Sequence, residues 1–564
     1  MKDGQLTKIF KTNNQKTFVL LFILVLLIIS VRLYYFTGPA FANTQDEGAY
    51  LTTFLEVTTY HTPITFSQYA GANFSNLTNG LFNPAQIFQF YVGFEYPELF
   101  LLSIFGYSSN LAIYYVILTS LIEGIFIFLI LKKISGIMAG IIGSIIFAFL
   151  PVDVIFATQV QPLIPMAMAL TISVYLFILA DNADEKKYLR RRNYFYLASG
   201  VLVGFAYITN PSGLLFYFFA VLVFVFQIIK KPKVYKKEII ILAIFTAGFI
   251  LAYLPIGMVY FIKAGDFFLY PLIDHSTFLY QIQTQPLIQH CFGYFCFEWA
   301  TGGPFSYLHV LLNQTVSYFR PLVYFGYTFY IFLIMVFLYV IFFKKEEKFR
   351  KWGPFFIAMF VFYYLALSYL PMSISNESNH IVITSIPQEP YLSSPFILPL
   401  IVILALGITA IIKKKNIIYK AAGIALIVVI IWSCMTSLNG DTTLYRASQS
   451  TLNSFISYVR LHPNTSFYTQ WIFANNAGLV TVKRYKIYQL SNCTSSYLAN
   501  LPNGSDVVTG GTLSISMSSG FMTNYDSCVD ANLTGYTEVY SANNTYEQYV
   551  GTFGAPPLKI FEKQ

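Results

Sequence analysis

The feature that most constrains this chain is a series of apolar stretches, each about as long as a lipid bilayer is thick. Crossing roughly 30 Å of hydrocarbon takes about 17 to 25 helical residues. Stretches of that order occupy residues 18–36, 110–131, 134–150, 163–180, 194–209, 212–229, 239–262, 321–343, 353–370, 396–412 and 417–436. In lipid the backbone must satisfy its own polar groups, so each reads as a helix. Only 11% of the 564 residues are charged and 56% are hydrophobic, against about 25% charged in an average soluble domain. That excludes a string of soluble domains, and a disordered chain as well. The expected fold is a polytopic α-helical membrane protein of about eleven spans. No small-residue cleavage site follows Ser30 promptly, so the first stretch reads as an anchor rather than a removed signal.

Alternate connections are basic. Lys2, Lys8, Lys11 and Lys16 precede the first span, and Lys132 and Lys133 follow the second. Further clusters run over Lys186 to Arg192, Lys230 to Lys237, Lys344 to Lys351 and Lys413 to Lys420. Together they hold most of the 35 Lys and Arg, and the positive-inside rule makes these connections cytoplasmic. The net charge of +9 is therefore a signal of orientation and not a nucleic-acid footprint. The amino terminus is expected inside and the carboxy terminus outside.

N-x-S/T acceptors, which need a translocated face, begin at Asn73, Asn76, Asn313, Asn376, Asn464, Asn492, Asn503, Asn532 and Asn543. All fall in segments that the charges place outside. Of the five Cys, Cys434 lies in a span while Cys291, Cys296, Cys493 and Cys528 are outside. Two disulfides, Cys291 with Cys296 and Cys493 with Cys528, would suit an oxidising exterior; free thiols are the other reading, since sequence does not fix connectivity. No Cys/His spacing fits zinc.

Three outside regions are large: 37–109, 263–320 and the polar tail 437–564. The expected units are a transmembrane module over 1–436 and an extracytoplasmic α/β or α+β domain over 437–564. Within the tail, 441–460 has helical spacing, whereas "SFYTQWIF", "GLVTVKRY" and "DVVTG" read as strands.

Just beyond the first span lies "NTQDEGAY", with Asp46 and Glu47 adjacent. Taken alone, the pair reads as a solvated loop; held at a membrane surface, one carboxylate becomes a candidate general base. "FEYPELFLL" follows, with Glu95 and Glu98 flanking Pro97 as the chain returns to the membrane. The third span then ends in "FAFLPVDVIFATQVQPLIPMAMAL", an outside corner with Asp153, Gln159 and Gln161.

In this order the chain resembles the C-fold glycosyltransferases that use lipid-phosphate sugars, in the protein O-mannosyltransferase and aminoarabinose-transferase-like branch. The resemblance covers the first 230 or so residues by motif and the rest by architecture. It implies an inverting transferase that moves a sugar from a polyprenyl (dolichyl or undecaprenyl) phosphate to a protein, lipid or glycan on the extracytoplasmic face. It also implies Asp46 as base or acceptor-orienting group, with Glu47 beside it. Tyr96-Pro97-Glu98-Leu99 stands where the family has Tyr-Pro-Pro-Leu, Leu163 where it often has an acid, and Asn210 where it has a basic residue. A catalytically degenerate member is therefore one alternative, and a non-enzymatic transporter or assembly protein is another.

The departing phosphate needs cations. Before the tail the outside ones are Arg32, Lys263 and Arg320. Arg320 is the first candidate for bidentate phosphate contact and Lys263 the second. Snorkelling of a long cationic side chain to the interface is the other reading of Arg320, and more so of Lys263 and Arg32. Glu95, Glu98, Asp153 and Gln161 complete the expected substrate-binding set. His61, His275, His290 and Glu298 are weaker candidates in outside loops. Glu123, inside a span, is expected to face the bundle or its cytoplasmic end, away from the outside site. One acidic pair is too little for an octahedral metal site, so a divalent ion is unsupported and metal dependence stays open. The implied partners are membrane lipid, lipid-linked sugar and an acceptor.

Overall fold

A computed structural model describes residues 3–36, 50, 51, 54, 58, 92–182, 185–230, 235–264, 291–292, 295–296, 325, 327–341, 347–368, 371–377, 380–385, 394–469, 486–490, 494–509, 529–542 and 558–564. Its helices are α1 (Asp3–Tyr35), α2 (Val92–Phe105), α3 (Ser109–Ser135), α4 (Ile137–Phe149), α5 (Pro151–Ala157), α6 (Leu163–Asp181) and α7 (Glu185–Thr209). They continue as α8 (Leu214–Lys230), α9 (Tyr235–Ala264), α10 (Thr328–Ile341), α11 (Glu347–Ser368), α12 (Ile397–Ile412), α13 (Ile417–Leu461) and the short α14 (Ser495–Ala499). Each stretch expected to span carries a helix among the described residues. Among the described residues, six helices are long and apolar enough to cross a membrane, or seven if the bent pair α4–α5 forms one span.

The bundle is built around α12, whose residues Ile397 to Ala410 are all buried. It packs against α4, α10, α11 and α13. With no water to expel between helices in lipid, close backbone approach through small residues does the packing. The α7–α9 crossing shows this most directly. A Cβ on Gly200 would lie 2.0 Å from the Phe245 carbonyl oxygen, and one on Gly204 2.6 Å from that of Phe249. From the facing helix, a Cβ on Gly248 would lie 2.2 Å from the Leu197 oxygen. Beside this crossing, Ser173 and Ser199 tie α6 to α7, their hydroxyls 2.8 Å apart and each bonded to the other's carbonyl at 3.0 Å. Large apolar side chains such as Phe22 and Leu26 on α1, and Ile424 and Trp432 on α13, are left exposed on the outer surface of the bundle, where lipid is their natural solvent.

Helix α13 runs for 45 residues and continues through the expected boundary at residue 436. Its distal part lies on a sheet of order β6-β5-β7-β9-β8, with β5 Ser466–Thr469, β6 Ile487–Gln489, β7 Ser505–Thr509, β8 Tyr536–Ala542 and β9 Leu558–Lys563. Strand β5 runs parallel to β6 and β7, whereas β9 is antiparallel to β7 and β8. Phe455 meets Phe467 edge-on at 5.7 Å, and Tyr458 lies 4.9 Å from Tyr540. On the sheet's other face Val507 packs with Leu498 of α14, because successive strand residues point to opposite sides. Two of the three expected strand segments thus carry β5 and β7, while "GLVTVKRY" lies outside the described residues. Two small antiparallel pairs complete the structure: β1 (Cys291–Phe292) with β2 (Phe295–Cys296), and β3 (Pro371–Glu377) with β4 (His380–Ser385).

Candidate functional site

The third apolar stretch is broken. Helix α4 ends at Phe149, Leu150 is extended, and α5 restarts at Pro151 bent by 59°. Proline fits the first position of a helix because the N–H it lacks would be unpaired there anyway. The cost falls on the helix before it: Phe147 should receive the N–H of residue 151, and there is none. Leu150 N–H closes on the Phe147 oxygen at 3.2 Å as a tightened turn, and the rest of the demand is met from another helix.

Arg32, in the last turn of α1, is fully buried. Its guanidinium donates to the carbonyls of Phe147 (3.3 Å) and Ala148, to Ser120 Oγ on α3 (3.2 Å), and to Asp153 Oδ2 on α5. Ser120 also donates to Asp153 Oδ2, at 2.7 Å. The guanidinium carbon sits 5.2 Å from the centre of the Phe147 ring. This overturns the reading of Arg32 as a snorkelling cation at the outer interface. Snorkelling lets a long side chain reach water; here Arg32 is fully buried and the broken helix offers it carbonyls and a carboxylate. Asp153 sits in the first turn of α5, where the helix dipole favours negative charge.

Glu123 lies three residues from Ser120 on the same face of α3, fully buried, and accepts from Thr171 of α6 at 3.3 Å. It faces the bundle, within electrostatic reach of Asp153 and Arg32. Asp153 Oδ1 and Glu123 Oε2 have no hydrogen-bond partner among the described residues.

Helix α2 supplies the second group. Gly93 lies against the end of α7, since a Cβ there would be 2.4 Å from Thr209 Oγ1. Glu95 and Glu98, three apart and separated by the in-helix Pro97, are both buried. Burial pushes the Glu95 carboxyl well above the ordinary carboxylate range, as expected where the charged form loses its hydration. Where α7 ends, Asn210 accepts at Oδ1 from Ser212 N–H (3.0 Å) and Ser212 Oγ (2.6 Å), forming the side-chain-capped turn that Asn favours.

Of the remaining expected residues, Gln161 is buried in the corner between α5 and α6. Lys263 lies in the last turn of α9, its side chain outside what is described. Asp46, Glu47, Arg320, Cys493, Cys528, Asn73, Asn76, Asn313, Asn492 and Asn543 lie outside the described residues, as do His61, His275, His290 and Glu298. Cys291 stands opposite Cys296 in the β1–β2 register, and Asn376 is in β3. Asn464 and Asn503 occupy exposed turns, whereas Asn532 is half-buried and accepts from Ser495 Oγ. Ser120 and Thr171 were missed by sequence reasoning. An Arg within an apolar span, and an Asp two residues after a proline that ends another, were the available signal that such partners must exist.

A helical bundle followed by a mixed sheet, taken as a whole, superposes on membrane enzymes of known structure. The chain has the C-type membrane glycosyltransferase fold. Over 94% of its length it superposes on 73% of the oligosaccharyltransferase of Archaeoglobus fulgidus in its apo form, at TM-score 0.53 and 13% identity. Over 95% of its length it superposes on 97% of ArnT from Cupriavidus metallidurans bound to undecaprenyl phosphate, at TM-score 0.52 and 11% identity. A further A. fulgidus structure, of AglB with an inhibitory peptide and a dolichol-phosphate, gives TM-score 0.52 at 12% identity, covering 94% of this chain and 73% of that one. Residues 95–252 match the family of dolichyl-phosphate-mannose-protein mannosyltransferases. No curated protein sequence matches the chain significantly.

Proposed function

We propose that this protein is an inverting glycosyltransferase that takes a sugar from a polyprenyl phosphate and passes it to a protein, lipid or glycan hydroxyl or amine on the extracytoplasmic face. The observation that carries this reading is the family match over residues 95–252, which contain Glu95, Glu98, Asp153 and Gln161. Support comes also from the shared fold: one neighbour was solved with undecaprenyl phosphate and another with a dolichol-phosphate. Asp46 acts as base with Glu47 beside it, and Arg320 and then Lys263 meet the departing phosphate. The reading includes about eleven spans, the amino terminus inside, and a tail domain from residue 437 outside, with the disulfides and glycans on that face.

The reaction needs no covalent intermediate. The acceptor loses its proton to a carboxylate as its oxygen or nitrogen attacks the anomeric carbon, and the phosphate leaves with the electron pair of the broken bond. A degenerate member is the second reading, favoured by Asn210, whose carbonyl oxygen is committed to its own turn, and by the buried Leu163. Radiolabel transfer from a panel of polyprenyl-phosphate sugars, in membranes carrying the parent or Asp46→Asn, separates them. The expected result is transfer by the parent and a loss of about a hundredfold or more in Asp46→Asn, the scale of a general base. Undiminished transfer by a folded Asp46→Asn sinks the assignment.

A further inference from the structure

We infer that Arg32 is a positioning residue for this transfer: by filling the break of the bent span with donors, it fixes the direction of α5 and hence the corner 158–162 that opens α6. The inference rests on the proposed function.

Four helices meet at one guanidinium. Arg32 comes from α1, Ser120 from α3, the two carbonyls from α4 and Asp153 from α5. A continuous helix needs no such clamp, because each carbonyl is paired along its own axis. Across the break the backbone offers Phe147 only the tightened Leu150 N–H, and Arg32 supplies the side-chain donors from another helix; a group left unpaired inside a membrane bundle is costly. Arginine is suited to this place, because its planar, five-donor group can reach carbonyls and a carboxylate together. Lysine would keep the charge but lose the fork. Asp153 Oδ2 takes bonds from both Arg32 and Ser120, so the first turn of α5 is held to α1 and α3 at once. The bend is therefore set by three-way contact and not by Pro151 alone, since proline breaks a ladder without choosing the new direction.

Beyond that turn the chain runs through Thr158, Gln159 and Gln161, all buried, into the corner that the family resemblance places at the site. Gln159 Oε1 has no hydrogen-bond partner among the described residues, so this corner is polar at the end of the element Arg32 steers. A displacement of about 1 Å at a reacting geometry lowers turnover by as much as a hundredfold.

Arg32→Met alone leaves Asp153 unpaired and risks misfolding, so the decisive variant is Arg32→Met/Asp153→Leu, which removes both charges and keeps the volume. Detergent-purified parent, double variant and Arg32→Lys are compared by thermal unfolding and by steady-state transfer from the polyprenyl-phosphate sugar that the parent uses. A positioning role predicts a double variant that still unfolds cooperatively, with kcat lowered about tenfold to a hundredfold while KM for the donor stays nearly constant. Arg32→Lys should recover part of kcat. A folded double variant with unchanged kcat overturns the inference, as does a loss confined to KM. The two failures are distinguishable: full activity in Asp46→Asn with impaired Arg32 variants removes the base and keeps the clamp, whereas an inactive Asp46→Asn beside fully active Arg32 variants removes the clamp alone.

Discussion

The clamp at the bent span and the end of α13 on the sheet pose the same problem, carboxylates taken out of water, and solve it in opposite ways. In the bundle, Asp153 is matched by a guanidinium and a hydroxyl, with no exposure on either side of the ion pair. In the sheet, Asp506 of β7 stands directly across from Glu562 of β9, an arrangement of like charges that is destabilising in itself. Relief comes from His462 nearby and from Tyr458, which bonds to Asp506. Burial first, and then Glu562, push the Asp506 carboxyl up from 3.8 to about 6, with His462 and Tyr458 pulling the other way. In the sheet a proton taken up by the raised Asp506 carboxyl can stand in for a missing partner; in the bundle Asp153 Oδ2 has a guanidinium and a hydroxyl, while Oδ1 has no hydrogen-bond partner among the described residues.

The sharpest way to break this contrast is Arg32→Met. Leaving Asp153 buried without its cation should cost about 3 to 5 kcal/mol, seen as a fall in folded yield and in the denaturation midpoint. Asp506→Asn should go the other way. Because the folded-state value is raised, the native sheet binds more protons than the unfolded chain between about pH 4 and 6, so its stability falls as pH rises through that window and levels off above it. The variant should flatten that slope and be more stable than the parent near pH 7, by about 1 kcal/mol once solvent screening is allowed for. Thermal unfolding across pH 4 to 8 on the whole protein, followed through a probe in the sheet, measures both. An unchanged slope would mean that the Asp506–Glu562 opposition carries no stability cost. The smallest effect belongs to Ser199→Ala: interhelical hydroxyl bonds in lipid average about 0.6 kcal/mol, and a loss well beyond 2 kcal/mol would show that the Ser173–Ser199 pair does more than join α6 to α7.

Much of the helical inventory was legible because lipid imposes one rule on every span. Residues 110–131 and 163–180 read as apolar runs and lie in α3 and α6 almost end to end. The long extent of α13 was less so: apolarity stops near residue 436, but the helix does not, since Phe455, Ile456 and Val459 keep its period and find a sheet to cover. The stretch 134–150 read as one span ending at a proline-rich corner, where the structure has α5 following α4 after a bend of 59°. Arg32 shows where reading along the chain fails. Its neighbours in sequence are apolar and its true partners lie 88 to 121 residues away, so local pattern offered only the surface of the membrane as a home for the charge.

The sequence by itself determined that this chain is a membrane bundle with a polar tail, and marked which carboxylates and amides lie near the ends of its spans. Those features are one-dimensional: apolar length, charge alternation and short motifs. Tertiary structure alone decided which charges meet. Pro151 removes a donor, the broken helix must find another, and only the packing of α1 against α3, α4 and α5 brings Arg32 to the place where that donor is missing.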